Sequence, residues 1–359
     1  MKRVVAVIVL WLGVLGLLAG LTVGFDWLRQ GITLPLLPPG QAPITIDIPK
    51  GADARRIAEL ADRAGARIDP DLFALAARLR GQARSIQAGE YQLSSADHLL
   101  SFLDRLVAGD VVRYRLTIPE GETAQDFLNA LAAEPAIDHT LAGKSHAEIL
   151  RALGLPIEHL EGWLFPDTYV FTRGTTDRHI LREAYRAMRQ HLDAAWANRA
   201  ANLPLENPYQ ALILASIIEK ETGIPAERDE IAGVFINRLR QHMRLQTDPA
   251  VMYGVAQGSA GRVDQTTAPK SLTTRELKTD TPYNTYTRYG LPPTPIALPS
   301  AAALIAATHP AVTDDLYFVA NGSGGHTFSQ TLSEHNQAVA RWRQREQQRS
   351  QPANGGETP

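Results

Sequence analysis

Cysteine is absent from all 359 residues, which excludes disulfides, thiolate nucleophiles, cysteine-bound metal and a lipidated cysteine. An excess of charge of either sign is missing too, since 36 Lys and Arg stand against 38 Asp and Glu. No global field is therefore available to recruit nucleic acid or coat an anionic membrane. The ten histidines include no HExxH pair, and His309, His326 and His335 follow no zinc-ligand spacing, so no metal is expected. Gly322, Gly324 and Gly325 read as a turn rather than a phosphate loop, because no Gly-Lys-Ser/Thr follows them. No serine stands in an S-x-x-K or G-x-S-x-G frame, which leaves serine acyl-transfer chemistry without a signal. Nothing implies an organic cofactor.

What is present begins with one long apolar run. From Val4 to Phe25 the chain carries no charge, and about 20 apolar residues let a helix cross the hydrocarbon layer. Lys2 and Arg3 precede it, so the short N-terminus is expected in the cytoplasm and everything after Trp27 outside. A cleaved signal peptide is the competing reading, but its apolar core is usually about 7 to 15 residues and ends at an A-x-A-like site, which is missing here. Residues 1–30 thus read as a stub and anchor. Residues 31–43, with Pro35, Pro38, Pro39, Gly40 and Pro43, read as a stiff linker that cannot hold a helix. With 44% hydrophobic residues, the remainder can form two or three compact domains.

Ile44-Thr45-Ile46-Asp47-Ile48 alternates as a half-buried strand does, and Pro49-Lys50-Gly51 breaks it before an amphipathic stretch at Ala54, Ile57, Leu60 and Ala61. The pattern returns at Leu116 to Gly121, followed by Ala124, Phe127, Leu128 and Leu131. IPKGADA and IPEGETA therefore read as two copies of one strand-turn-helix unit, too few for a solenoid. Between them come a helix over 71–79, a strand over 89–93 and a helix over 96–106. Strand, two helices and strand is the order of a LysM-like sugar-binding module at 44–110, an analogy of topology that a plain α+β spacer also satisfies. Residues 111–343 read as a mixed α+β domain, with helices over 177–200, within 207–223 and over 226–243. A glycine turn there joins the hairpin strands 315–320 and 326–329. Gln344 to Pro359 is polar and reads as a disordered tail. The fold class is α+β.

The densest chemical signal lies in NPYQALILASIIEKETG, residues 207–223. Asn207 can cap a helix with Pro208 at its first position and Gln210 three residues on, while Gly223 and Pro225 stop it. Ala211 to Ile218 is apolar nearly all round, which means a helix buried at a domain centre. Its last turn carries Glu219. A carboxyl emerging from an apolar helix is poorly solvated when charged, which suits a general acid that protonates a glycosidic oxygen. Glu219 and Glu221 stand about 200° apart around a helix, so at most one faces a given cleft. Ala215 and Ser216, one turn back, leave space beside Glu219, whereas Glu221 shares a face with the exposed end. From residue physics alone, a structural ion-pair role for Glu219 stays open beside the catalytic one.

ASIIEKETG, followed in order by ERDEIAGVFINRLRQHMRLQTDPAVMYG, YNTYTRYGLPPTPIALP and LYFVANGSGGHTFSQTLSEHN, resembles the endolytic murein transglycosylase family, also called YceG-like. EGWLFPDTY, from Glu161 to Tyr169, extends the resemblance, whose core runs over 161–336. The resemblance implies that the first Glu of the EKE triplet, Glu219, is the catalytic acid/base. It also implies cuts inside peptidoglycan glycan strands, at the β-1,4 link from N-acetylmuramic acid to N-acetylglucosamine, by an inner-membrane protein facing the periplasm beside peptidoglycan synthases. Such an enzyme needs one carboxyl where ordinary glycosidases need two, because the sugar's own 6-hydroxyl closes a 1,6-anhydro ring. Two positions depart from the family pattern: Ala250, where Thr is expected, and Ile236, where Tyr is common. They bear on substrate detail.

Candidate substrate contacts are Ser216, Gln246, Asp248, Tyr253, Tyr283, Asn284 and His326. Asp248 reads first as the cap of the helix leading to Tyr253. Pro282-Tyr283-Asn284-Thr285-Tyr286 sets aromatic rings beside an amide, which suits the apolar faces and polar rims of pyranoses, with loop packing as the alternative. Asn237 and Arg238 fall at the edge of the helix over 226–243, towards the site or in solvent. Trp163, Phe165 and Tyr169 read as a buried aromatic cluster beside Pro166, with stacking on sugar as the alternative. Two other functions stay open: a lysozyme-like hydrolase with a second carboxylate from Glu161, Asp167 or Asp248, and a non-catalytic glycan-binding scaffold in which Glu219 is structural.

Overall fold

Strict alternation makes β1 (Ile44–Ile48) the strand its sequence predicts, with Ile46 and Ile48 buried. It pairs antiparallel with β2 (Gly89–Leu93), Ile44 opposite Leu93 and Ile48 opposite Gly89. This is a computed structural model in which residues 22–24, 29–258 and 272–350 are described. The apolar run expected to cross the membrane falls largely outside them. Among the described residues no helix is long and apolar enough to cross a membrane.

The chain forms two compact units, the first made of Met1–Arg115 with Ala136–Asp138 and Val170–Thr175. Between β1 and β2 run α1 (Ala54–Arg63) and α2 (Pro70–Leu79), each opened by an aspartate, Asp53 or Asp69, whose side chain accepts a backbone N–H. After β2 comes α3 (Leu99–Ala108), which ends at Gly109 in the left-handed region. Ile57, Phe73, Tyr91, Leu93 and Phe102 form the core. The linker expected over 31–43 needs correction, because residues 31–33 are helical and Leu36 and Leu37 are fully buried in this core. Leu36 donates its N–H to the Asp97 carbonyl at 2.7 Å, and its own carbonyl accepts from Arg67 at 2.7 Å. Burying two adjacent leucines outweighs the signal of the surrounding prolines.

The boundary between the units passes through β3 (Tyr114–Thr117), β5 (Thr168–Phe171) and β6 (Thr175–Thr176); β4 (Ile137–Asp138) pairs with β6, and β3 with β5. The second unit is mainly helical, with α4 (Ala124–Ala133), α5 (His146–Leu153), α6 (Asp177–Ala197), α7 (Pro208–Glu221), a 3-10 turn at Pro225–Glu227, α8 (Arg228–Arg240), α9 (Asp248–Gly258), α10 (Thr274–Lys278) and α11 (Ala301–Thr308). The hairpin β7 (Tyr317–Ala320) and β8 (His326–Ser329) follows, then α12 (Leu332–Ser350). Gln344 to Ser350, expected to belong to a disordered tail, are helical instead: Arg, Gln and Glu are good helix formers, and α12 continues through them, while the rest of the expected tail lies outside the described residues.

At the centre of the second unit lies α7. Asn207 accepts the Gln210 N–H at 3.0 Å, Pro208 takes the first helical position, and every residue from Ala211 to Ile218 is buried. It packs chiefly on α11, and also on α6, α8 and α9. The two strand-turn-helix copies also share their geometry. Gly51 (φ 82°) and Gly121 (φ 78°) both turn through the left-handed region that favours glycine, and Asp53 or Thr123 caps the helix two residues on.

Candidate active site

Glu219 occupies the last turn of α7, its side chain 5% exposed. One carboxylate oxygen, Oε1, accepts from Arg228 Nη2 at 3.2 Å. The other, Oε2, accepts the Ser300 N–H at 2.9 Å and the Ser300 hydroxyl. Ser300 is the N-cap of α11, and its hydroxyl also accepts the Ala303 N–H at 3.1 Å. The sequence foretold a carboxyl starved of solvent. Burial is present, but so are a cation and two neutral donors in contact with the carboxylate. The structural ion pair left open above is thus part of the observed geometry.

Arg228 opens α8, and its Nη2 also lies 3.7 Å from Oε2 of Glu120, an exposed carboxylate. Because one nitrogen serves both acids, Glu120 is a close neighbour of Glu219. Glu120-Gly121-Glu122 is the turn of the second strand-turn-helix copy. Gly121 donates to the Leu298 carbonyl at 2.9 Å, Leu298 donates to the Glu122 carbonyl at 2.7 Å, and Lys220 Nζ donates to the Gly121 carbonyl at 3.1 Å. A Cβ placed on Gly121 would lie 3.6 Å from Lys220 Cδ and 3.8 Å from Glu219 Cγ. The turn therefore abuts the end of α7. Burial pushes the Glu122 carboxyl up, helped by its hydrogen bond and charge repulsion with Asp126 and countered by Lys220.

Ser216 was expected to touch substrate, and the structure corrects this. It is fully buried, its hydroxyl donating to the Ile213 carbonyl at 2.7 Å and accepting the Ile296 N–H at 3.0 Å. Its role is to tie α7 to the segment that delivers Ser300. His326 binds Glu227, the residue before Arg228, through its N–H at 2.9 Å and Nδ1 at 2.7 Å. Burial pushes Glu227 up, but the His326 contacts outweigh it and hold the carboxyl below its ordinary range.

Asn284 is also fully buried: its Nδ2 donates to the carbonyls of Glu276, Leu277 and Thr279, and its Oδ1 accepts the Tyr286 N–H. It braces a loop, with no surface left for a sugar. Tyr283 shares a hydrogen bond with Thr294 and lies edge-on to Tyr253 at 5.0 Å. Tyr253 donates to Glu161 Oε2 at 3.1 Å, and Glu161 Oε1 accepts the N–H of Ala124, the first residue of α4. Burial pushes the Glu161 carboxyl up to about 7, against the pull of those two hydrogen bonds.

Gln246 and Asp248 gather on another side of α7. The Gln246 N–H donates to the Thr285 carbonyl at 3.2 Å, and Asp248 accepts the Tyr286 hydroxyl at 2.6 Å. Asp248 is the first residue of α9, and its Oδ1 holds the Tyr286 hydroxyl. Glu221, expected on the exposed end face, looks this way too. It keeps part of its surface open, yet protein crowds its carboxyl and burial pushes it up to about 7, with Asp248 adding and Thr247 and Arg238 countering. Asn237 and Arg238 are braces: Asn237 donates to the carbonyls of Thr313 and Asp315, and buried Arg238 to those of Leu316 and Leu245. Trp163 packs against the core, stacked on Tyr209. Among the described residues no cluster of three or more His, Asp or Glu could hold a metal ion.

Glu219 therefore meets Arg228, Ser300 and the Glu120 turn, whereas Glu221 faces Thr247 and Asp248, the divergence that their helical spacing requires. Sequence reasoning missed Arg228, Ser300, Glu120 and Gly121. Two signals were available: IPEGETA repeats an earlier unit, and Ser300 precedes an apolar AAALIAA run as a cap does.

Residues 46–341 match the YceG-like family. The chain belongs to that family. An endolytic murein transglycosylase of Bacillus subtilis (strain 168) is 30% identical over 326 residues, covering 86% of this chain and 87% of the relative. One of Streptococcus pneumoniae (strain R6) is 30% identical over 370 residues, covering 94% of this chain but 65% of the relative. A crystal structure of a YceG-like protein from Listeria monocytogenes is 30% identical, covering 83% of this chain and 99% of that one, with a TM-score of 0.48. The YceG-like match takes in both strand-turn-helix copies as well as Glu219.

Proposed function

We propose that this YceG-like chain is a membrane-anchored lytic transglycosylase that cuts inside peptidoglycan glycan strands, with Glu219 as general acid/base. Relatives named endolytic murein transglycosylase, aligned over most of the chain, support the reaction class. The observation that carries the residue is the convergence of α7, α8, the α11 cap and the Glu120 turn on one nearly buried carboxyl. In this reading Glu219 protonates the oxygen bridging N-acetylmuramic acid and N-acetylglucosamine, then takes a proton from the 6-hydroxyl as the 1,6-anhydro ring closes. Ser300 occupies Oε2 with two donors, so Oε1 carries the proton, and Arg228 yields that oxygen when substrate enters. Residues 1–30 anchor the protein in the inner membrane, residues 44–110 form a LysM-like module, and peptidoglycan synthases are its partners in the periplasm.

Mass spectrometry of purified sacculi treated with the wild type and with Glu219→Gln tests this. The wild type releases anhydro-muropeptides and the variant none; undiminished anhydro products from the variant would remove Glu219 from the mechanism.

One observation favours a second reading, hydrolysis. Paired-carboxylate glycosidases hold their acids about 5 to 9.5 Å apart, and Glu120 shares Arg228 with Glu219. Glu120 is a better second carboxylate than Glu161, Asp167 or Asp248. A hydrolase would leave reducing ends and lose activity in Glu120→Gln, whereas a transglycosylase would leave anhydro ends and tolerate that change.

A further inference from the structure

Helix α6 carries Arg178, Arg182 and Arg186 at successive i, i+4 positions, so like charges stack on one face, an arrangement that repels. They line a cavity of about 650 Å³ together with His179 and the end of α5, and among the described residues no carboxylate lines it. Arg182 is held in place, its Nε and Nη2 donating to the Leu153 carbonyl at 3.1 and 2.9 Å, and Arg186 Nε donates to the Arg182 carbonyl at 3.2 Å. These partners are neutral. Nε of Arg178 is buried without any partner among the described residues. Farther along the same helix Arg189, whose Nε is likewise unpartnered among the described residues, does have a carboxylate, pairing with Asp193 at 3.2 Å. Of the carboxylates beside these arginines in sequence, Asp177 is already taken by the Thr140 hydroxyl and the N–H groups of Leu141 and Arg178, and Glu183, next to Arg182, neither lines the cavity nor pairs with any of the three among the described residues. Three guanidinium groups thus face a cavity that no carboxylate lines, and their planar forks match a carboxylate.

We propose that this cavity binds carboxylate groups of the peptide stems carried by a glycan strand, at a distance from the scissile bond. The inference rests on the reading that peptidoglycan is the substrate. Tyr185, in the cavity wall, packs on Trp163, which stacks on Tyr209 in the first turn of α7. Glu219 lies ten residues later, about 15 Å along the helix axis. A polymer with acidic branches at intervals reaches both places at once, which a small free anion cannot.

The test uses the full chain carrying Glu219→Gln, so that the polymer is not consumed. Binding is titrated with stem-bearing glycan fragments and with the same glycans stripped of their peptides, with and without inorganic phosphate. Stem-bearing fragments are expected to bind roughly tenfold or more tightly, the ordinary worth of one charge-assisted hydrogen bond. Arg182→Gln with Arg186→Gln removes that difference, and phosphate does not compete. Arg186→Gln alone, which leaves the Leu153 brace intact, removes part of it. Equal binding of the two glycans, a difference that survives both substitutions, or displacement by phosphate would each overturn the proposal. Cleavage of stripped strands by protein with an intact Glu219 separates the two readings, because it persists if only the arginine cavity is misread and is lacking if the substrate is wrong.

Discussion

Ser300 serves two helices with one hydroxyl: it caps α11 and holds Oε2 of Glu219 at the end of α7. Ser300→Ala should cost about 1 kcal/mol of stability, the usual worth of an N-cap, and should also lower turnover because the carboxyl loses its anchor. Thermal melting and muropeptide release measure the two effects, and Ser300→Thr, which keeps the hydroxyl, should restore much of both. If Ser300→Ala melts earlier yet cleaves normally, the contact with Glu219 is incidental. Glu161 makes a different prediction. Its carboxyl is raised from 4.5 to about 7 in the folded protein, so folding favours the protonated form. The resulting stability is fully present below pH about 4.5 and is lost as pH rises through about 7, on the order of 3 kcal/mol in all. Glu221 acts in the same direction. Denaturant midpoints should therefore fall between pH 5 and pH 8, and Glu161→Gln should flatten the fall; a midpoint that climbs over this window would contradict the burial account. Glu219 stood out in the sequence because an acid at the end of an apolar helix is a local anomaly, but residue physics alone left it between an ion pair and a catalytic role. Ser216 and Asn284 were misread because a polar side chain near a site looks the same in sequence whether it faces a sugar or three backbone carbonyls.

Among the elements, the two strand-turn-helix copies provide their own control. Gly51 and Gly121 have the same positive φ, but a Cβ on Gly51 would meet nothing within 4 Å, while one on Gly121 would touch the helix end bearing Glu219. Alanine at either position should destabilise by about 1 to 2 kcal/mol through the left-handed backbone alone. Only Gly121→Ala should also slow cleavage, and equal turnover in the two variants would detach the Glu120 turn from the site. Helix α7 and the hairpin were readable because capping, periodicity and glycine turns act within a dozen residues. The stretch around Leu36 and Leu37 was not, since nothing local says that a proline-rich segment folds back on a core. Nor did composition reveal that α12 outlasts Gln344, because charged helix formers are also the residues of disordered tails.

For the whole molecule, the uncharged run from Val4 to Phe25 predicts that the full chain sediments with membranes and resists salt extraction, while a version beginning after residue 30 is released. Recovery of the full chain in the salt-soluble fraction would discard the anchor. The chain spans most of its Bacillus relative and 65% of its streptococcal one. Pattern within single segments was enough to place several helices, α7 among them, and to single out Glu219 as an unusual acid, because these rest on interactions between near neighbours in sequence; the class came from longer motifs shared with the YceG-like family. The surroundings of that acid came only with folding. Arg228 is 9 residues from Glu219, but Ser300 is 81 away and the Gly121 carbonyl 99 from the Lys220 that binds it. No periodicity connects positions so distant; packing α7 against α11, and the Glu120 turn against its end, is what brings a cation, a cap and a second carboxylate to one side chain.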